Sequence, residues 1–166
     1  MTDVAAAECA IRQLHARYVD AVWRKDIEAF VDCFAEDGEW KIAGLHMRGR
    51  DEIGRGFEGF LAGSEKILML VGAPVIEVGD DGTAIARTPI SEIIKRKDGQ
   101  AIRTIGLYYE RFVDQGGRWR FRSRHWVLHY YGPPEFSAAF QDAAPDYGPP
   151  PGMPAADAAT FARTDS

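Results

Sequence analysis

Glu92 is a candidate for proton transfer. It shares a strand face with Thr88 and Ile90 by the two-residue period of extended chain. A carboxyl enclosed by protein titrates higher than in water, which suits general acid or base work. The alternative is a glutamate near a strand end that reaches solvent or pairs with an arginine. The four histidines, His15, His46, His125 and His129, do not suggest a metal site. His125 and His129 lie on one strand-like run but about 13 Å apart along it. Cys9 and Cys33 fall in helical stretches with no CxxC or Cys/His spacing, as expected of two reduced thiols. No phosphate loop, nucleophile elbow or dinucleotide fingerprint occurs. The expectation is chemistry by side chains, with no cofactor and no metal.

The 166 residues are expected to hold one domain, residues 1–131, followed by a tail, and a chain of this size can bury a core without staples. A net charge of −5, with arginines scattered among acids, gives no reason to expect nucleic acid or an anionic membrane surface. No apolar run approaches the ~18 residues that span a bilayer. The opening Met1-Thr2-Asp3-Val4 lacks the basic and apolar regions of a secretory signal, so a cytoplasmic location is the expectation.

The elements that must position Glu92 follow from periodicity. Residues 3–24 read as a helix capped by Thr2 or Asp3, with Ile11, Leu14, Tyr18, Val19 and Val22 as its apolar stripe. Asp26 caps a second helix carrying Ile27, Phe30, Val31 and Phe34, ended by Glu36-Asp37-Gly38. Glu39 to Met47 reads as a short strand pair turning near Gly44, and Asp51 to Leu61 as a third helix. Four strand-like runs follow, 66–79, 83–97, 101–113 and 118–131, separated by hairpin signals, and together predict an antiparallel meander.

Runs this long must twist and curl. Pro89 suggests a bulge. On the third run Ile102, Thr104, Gly106, Tyr108 and Phe112 share a face opposite Arg103, Ile105, Leu107, Tyr109 and Arg111. Neither face is cleanly polar, so the convex face is expected to be covered, by another subunit. Residues 132–166 form a Pro/Gly/Ala-rich tail with too little apolar content for its own core, packing on the body or a neighbouring subunit. Phe136, Phe140, Tyr147 and Met153 are its candidate pins.

Three stretches carry a resemblance. They are Ile11 to Tyr18 followed by Asp26 and by Phe34 to Trp40; Gly44 through Gly49-Arg50-Asp51-Glu52-Ile53; and Gly106 to Tyr108 with Trp119-Arg120-Phe121 and Arg124. Over residues 8–131 their order resembles the SnoaL-like (nuclear transport factor 2-like) superfamily. The resemblance implies an α+β cone: a curved antiparallel sheet backed by three N-terminal helices around one apolar pocket. Relatives include scytalone dehydratase, ketosteroid isomerase and dehydrochlorinases, and other members only bind or scaffold.

Many catalytic members use an Asp on the first helix and a His on the first long strand. The resemblance sets Trp23 at the first position and Leu70, or Met69, at the second, so that dyad is replaced by apolar residues. It also turns Tyr18, Trp23, Trp40, Leu70, Thr88, Ile90, Glu92, Thr104, Gly106, Tyr108, Arg124, Trp126 and Leu128 toward the pocket. There Tyr18 and Tyr108 would donate hydrogen bonds to a substrate oxygen, or simply pack. Arg124 would hold an anion or developing charge, or pair with Glu92 or Asp26. If Trp119 and Arg124 both point inward, a bulge must intervene near 122–123.

The implied function is a cofactor-independent lyase or isomerase of elimination, dehydration or deformylation type. Its substrate would be a small aromatic or polycyclic molecule, for example a lignin-derived diarylpropane. The implied assembly is a homodimer or homotrimer. A non-catalytic binding protein and a small subunit of a ring-hydroxylating oxygenase are the alternatives.

Overall fold

The computed structural model describes residues 3–140. Helix α1 (Val4–Arg24) starts where the Asp3 carboxylate accepts from the Ala6 N–H. It ends at Lys25 in the left-handed conformation. Asp26 caps α2 (Ile27–Asp32) the same way, accepting from Ala29 N. This second helix is shorter than its apolar spacing predicts. From Phe34 the chain is already strand β1 (Phe34–Ile42), pairing in parallel with β7 (Trp119–Gly132), and Phe121 N donates to Cys33 O. The pairing partner, not local periodicity, decides these residues.

Strand β2 (Leu45–Arg48) returns from a two-residue turn in which Ala43 and Gly44 both have positive φ. Helix α3 (Gly49–Ala62) follows. The predicted 66–79 run is two strands, β3 (Ser64–Val71) and β4 (Val75–Val78), both paired with β5 (Thr83–Arg96). Strand β6 (Ala101–Asp114) completes a sheet ordered β2-β1-β7-β6-β5-β3, with β4 also on β5. The result is the expected α+β cone: helices followed by a curved, unclosed sheet, antiparallel except at β1–β7.

An irregularity in β7 positions the site. Between Arg111↔Ser123 and Phe112↔Phe121 the β6–β7 register shifts, leaving Arg122 as the extra residue. Trp119, Phe121 and Arg124 are therefore all buried, as the parity argument required. Pro89 does not disturb the β5–β6 register, where it faces Leu107. Its carbonyl accepts from Gly72 N, and a residue's N–H and C=O share one side of a strand. The missing N–H thus faces the β3/β4 edge, where Gly72 to Pro74 leave the ladder.

The core is aromatic. Phe30 stacks on Phe57 with ring centroids 3.8 Å apart, and Tyr18, Phe34, Trp40 and Phe121 pack around them. Beyond β7, Phe136 and Phe140 pack on Tyr130, so the first residues of the tail lie on the body. The expected pins Tyr147 and Met153 lie outside the described residues.

Candidate active site

The helices and the concave sheet face enclose a cavity of about 380 Å³. Its walls are mostly apolar and aromatic, with Phe57 and Phe60 from α3, Trp40 from β1 and Trp126 and Leu128 from β7. Trp126 crosses Gly106. A Cβ there would lie 2.7 and 2.8 Å from two indole carbons, so only glycine leaves room for the ring. Among the described residues the lining holds two formal charges, Glu92 and Arg96, both on β5.

Glu92 faces Thr104 directly across the β5–β6 ladder, and the threonine hydroxyl donates to its carboxylate at 2.9 Å. Burial pushes the Glu92 carboxyl above its ordinary range, opposed by that hydrogen bond and by the charge of Arg124. The side chain nevertheless keeps partial access through the open cavity.

Tyr18 and Tyr108 form another part of the wall. Trp40 Nε1 donates to the Tyr108 hydroxyl at 2.9 Å. The buried Tyr18 hydroxyl makes no hydrogen bond of good geometry among the described residues. Burial raises both phenols above their ordinary range, so at neutral pH each is a protonated donor.

Arg124 is not in the lining. Its fully buried guanidinium lies 3.7 Å from the Tyr108 ring centroid, 4.1 Å from that of Tyr18 and 4.5 Å from that of Phe121. Neither expected partner, Glu92 or Asp26, holds it. Its Nε donates to Glu110 Oε1 at 2.8 Å, and Nη2 lies 2.7 Å from the same oxygen. The other carboxylate oxygen of Glu110 accepts from Thr88 Oγ1 at 2.6 Å and from His15 Nε2 at 2.8 Å. His15 Nδ1 meets the Ile11 carbonyl at 2.9 Å. Burial alone would raise Glu110, but His15, Arg124 and these hydrogen bonds outweigh it and hold the carboxyl below its ordinary range.

The expected site residues therefore divide. Tyr18, Trp40, Glu92, Thr104, Tyr108, Trp126 and Leu128 line the cavity. Thr88 and Ile90 are buried outside the lining, Thr88 within the Glu110 cluster. Trp23 and Leu70 do not face the cavity: they are 50% and 58% exposed, on a shallow groove between α1 and β3. One step along a helix turns a side chain by about 100°, and one step along a strand reverses it. Val22 and Met69 line the cavity instead, and Trp23 Nε1 ties the two elements together by donating to Met69 O. Both residues that face the cavity there are apolar, and Met69 is the alternative given for the second position.

Glu110 and Arg96 are additions to the expected set. Glu110 stands between Tyr108 and Phe112 on the same strand face, so the two-residue period already pointed it inward.

The family model of the SnoaL-like domain matches residues 3–125. No curated protein matches significantly. A Novosphingobium aromaticivorans protein provisionally named a scytalone dehydratase is 21% identical with a TM-score of 0.73, over 80% of this chain and 91% of that one. The Type2 hexachlorocyclohexane dehydrochlorinase LinA is 16% identical with a TM-score of 0.73, over 90% and 97%. An uncharacterized cystatin-like-fold protein from Caulobacter vibrioides is 26% identical with a TM-score of 0.63, over 72% and 87%. At the first two identities the likeness carries the fold alone.

Proposed function

From the premise that this chain belongs to the SnoaL-like domain family, we propose that it is a cofactor-independent lyase or isomerase acting on a small aromatic or polycyclic substrate. Dehydrochlorinase and dehydratase names among its structural neighbours are consistent with that kind of chemistry. The observation that carries the reading is Glu92, among the described residues the one carboxylate lining the cavity, held by the Thr104 hydroxyl and raised by burial. In this reading Glu92 takes a proton from the substrate or returns one to a leaving oxygen. Tyr18 and Tyr108 donate to the oxygen on which negative charge develops. Arg124 touches no substrate. Its charge, behind the two phenol rings, favours negative charge in front of them.

Elimination of water or formaldehyde from a diarylpropane suits walls of Trp40, Trp126, Phe57 and Phe60. The test is mass spectrometry of purified protein incubated with a panel of diarylpropane alcohols and no added cofactor. The expected product is lighter by water or formaldehyde, or is an isomer, and Glu92→Gln suppresses it. Tight binding of the panel without conversion supports the second reading, a non-catalytic binding protein, which the apolar Val22 and Met69 favour.

Self-association through the convex face, as a dimer or trimer, belongs to the same proposal. It is supported by the exposed Leu68 and Ile93 beside the half-buried Ile105 and Leu107. Light scattering that gives a monomer mass at micromolar concentration overturns it.

A further inference from the structure

Arg96 has no role in the chemistry above, yet it lines the same cavity. We propose that Arg96 anchors an acidic group of the ligand, so that the site selects an elongated two-ring aromatic carboxylate over its neutral counterpart. The inference deepens the reading of the cavity as a small-molecule site and rests on that reading, though not on turnover.

The first support is the charge inventory. Among the described residues Glu92 and Arg96 are the two charged side chains in the lining, on one face of β5 and four residues apart. At strand rise that is about 13 Å, roughly the reach of two linked rings. The second is the state of the guanidinium. Its Nε is sealed from solvent and makes no hydrogen bond of good geometry. Asp98 makes a loose ion pair with it, 3.5 Å from Nε and longer than the ~2.7–2.9 Å of a charge-assisted bond, and the Arg96 side chain is itself 42% exposed, at the edge of the cavity. The unbonded Nε–H edge, beside Ile94 and Ile102 in the lining, is free to take a ligand's anion.

The third support is Tyr18. With Trp40 donating to Tyr108, the two interacting phenols hold two hydroxyl protons, and at most one can be used within the pair. At least one O–H remains for a ligand oxygen. The cavity thus offers an anion site at Arg96, an aromatic channel, and a neutral donor at the tyrosines. An aromatic acid with a carbonyl or hydroxyl remote from its carboxylate matches all three.

The test compares 4-benzoylbenzoate with neutral 4-methylbenzophenone by isothermal titration, at low and at 0.5 M salt. The wild type should bind the carboxylate about tenfold more tightly, less so at high salt. Arg96→Met should erase that preference by weakening the carboxylate far more than the neutral ketone. Arg96→Lys should retain part of it, and Tyr18→Phe should weaken both ligands alike. Melting temperatures of the variants check folding. A wild type without preference, or Arg96→Met that keeps it, overturns the proposal. Failure of any substrate to turn over would sink the enzyme reading and leave this result standing.

Discussion

Glu92 and Glu110 sit on adjacent strands and both point into the cone, but their surroundings are opposite. Glu110 is sealed and accepts from Thr88, His15 and Arg124, which holds it ionised. Glu92 accepts from Thr104 and faces an apolar cavity, which favours its protonated form. A carboxylate with its lone pairs filled is a structural counter-charge. One left short of partners is available for proton transfer. The first neutralises Arg124, and the second lines the cavity.

The largest expected effect separates them by rate. Glu92→Gln should lower turnover roughly 10²–10⁴-fold, with the melting temperature held or raised. Near wild-type turnover on a converted substrate would remove Glu92 from the chemistry.

Next comes stability. Glu110→Leu leaves Arg124 buried without its counter-charge and should cost about 3–5 kcal/mol in denaturant unfolding. Adding Arg124→Met should recover much of that loss. A double variant no more stable than Glu110→Leu would show that the two side chains are not coupled.

The pH dependence of stability should run in opposite directions for the two groups. Glu92 keeps its proton to higher pH when folded, so stability falls as pH climbs from the ordinary glutamate value, about 4.3, to its raised folded value. Glu110 is depressed. Its contribution is complete above the unfolded value and is lost as pH falls through its lowered folded value. Thermal melts from pH 3 to 8 should show Glu92→Gln flattening the upper slope and Glu110→Gln the acid limb. Unchanged slopes would cancel the contrast.

Two smaller effects sharpen the geometry. Gly106→Ala drives a methyl into the Val127 carbonyl oxygen and the Trp126 indole and should cost about 1–3 kcal/mol while reshaping the cavity. Leu70→Ser, on the exposed groove, should stay within about 0.5 kcal/mol and leave ligand affinity unchanged. A large loss of affinity in Leu70→Ser would restore that residue to the site.

The fold was legible because its signals are local. Asp3 and Asp26 cap helices, turn residues separate the long strands, and a parity conflict between Trp119 and Arg124 required the bulge found at Arg122. The site was legible where strand parity alone decides facing, as at Glu92, Thr104 and Tyr108. At Trp23 the cavity-facing residue is one step away, and of Leu70 and Met69 it is Met69 that faces inward, because a likeness carried over by position must be correct to a single step of helix or strand.

By itself, the sequence determined which residues alternate and which segments turn. Only the tertiary structure decided which carboxylate meets which cation. The β6–β7 register puts Glu110 opposite Arg124, and α1 brings His15 onto the same oxygen that Thr88 reaches. It leaves Glu92 with Thr104 and the cavity. Charge pairing depends on distances of a few ångströms between groups far apart in the chain. Period and composition carry no such distances; strand register and helix docking set them.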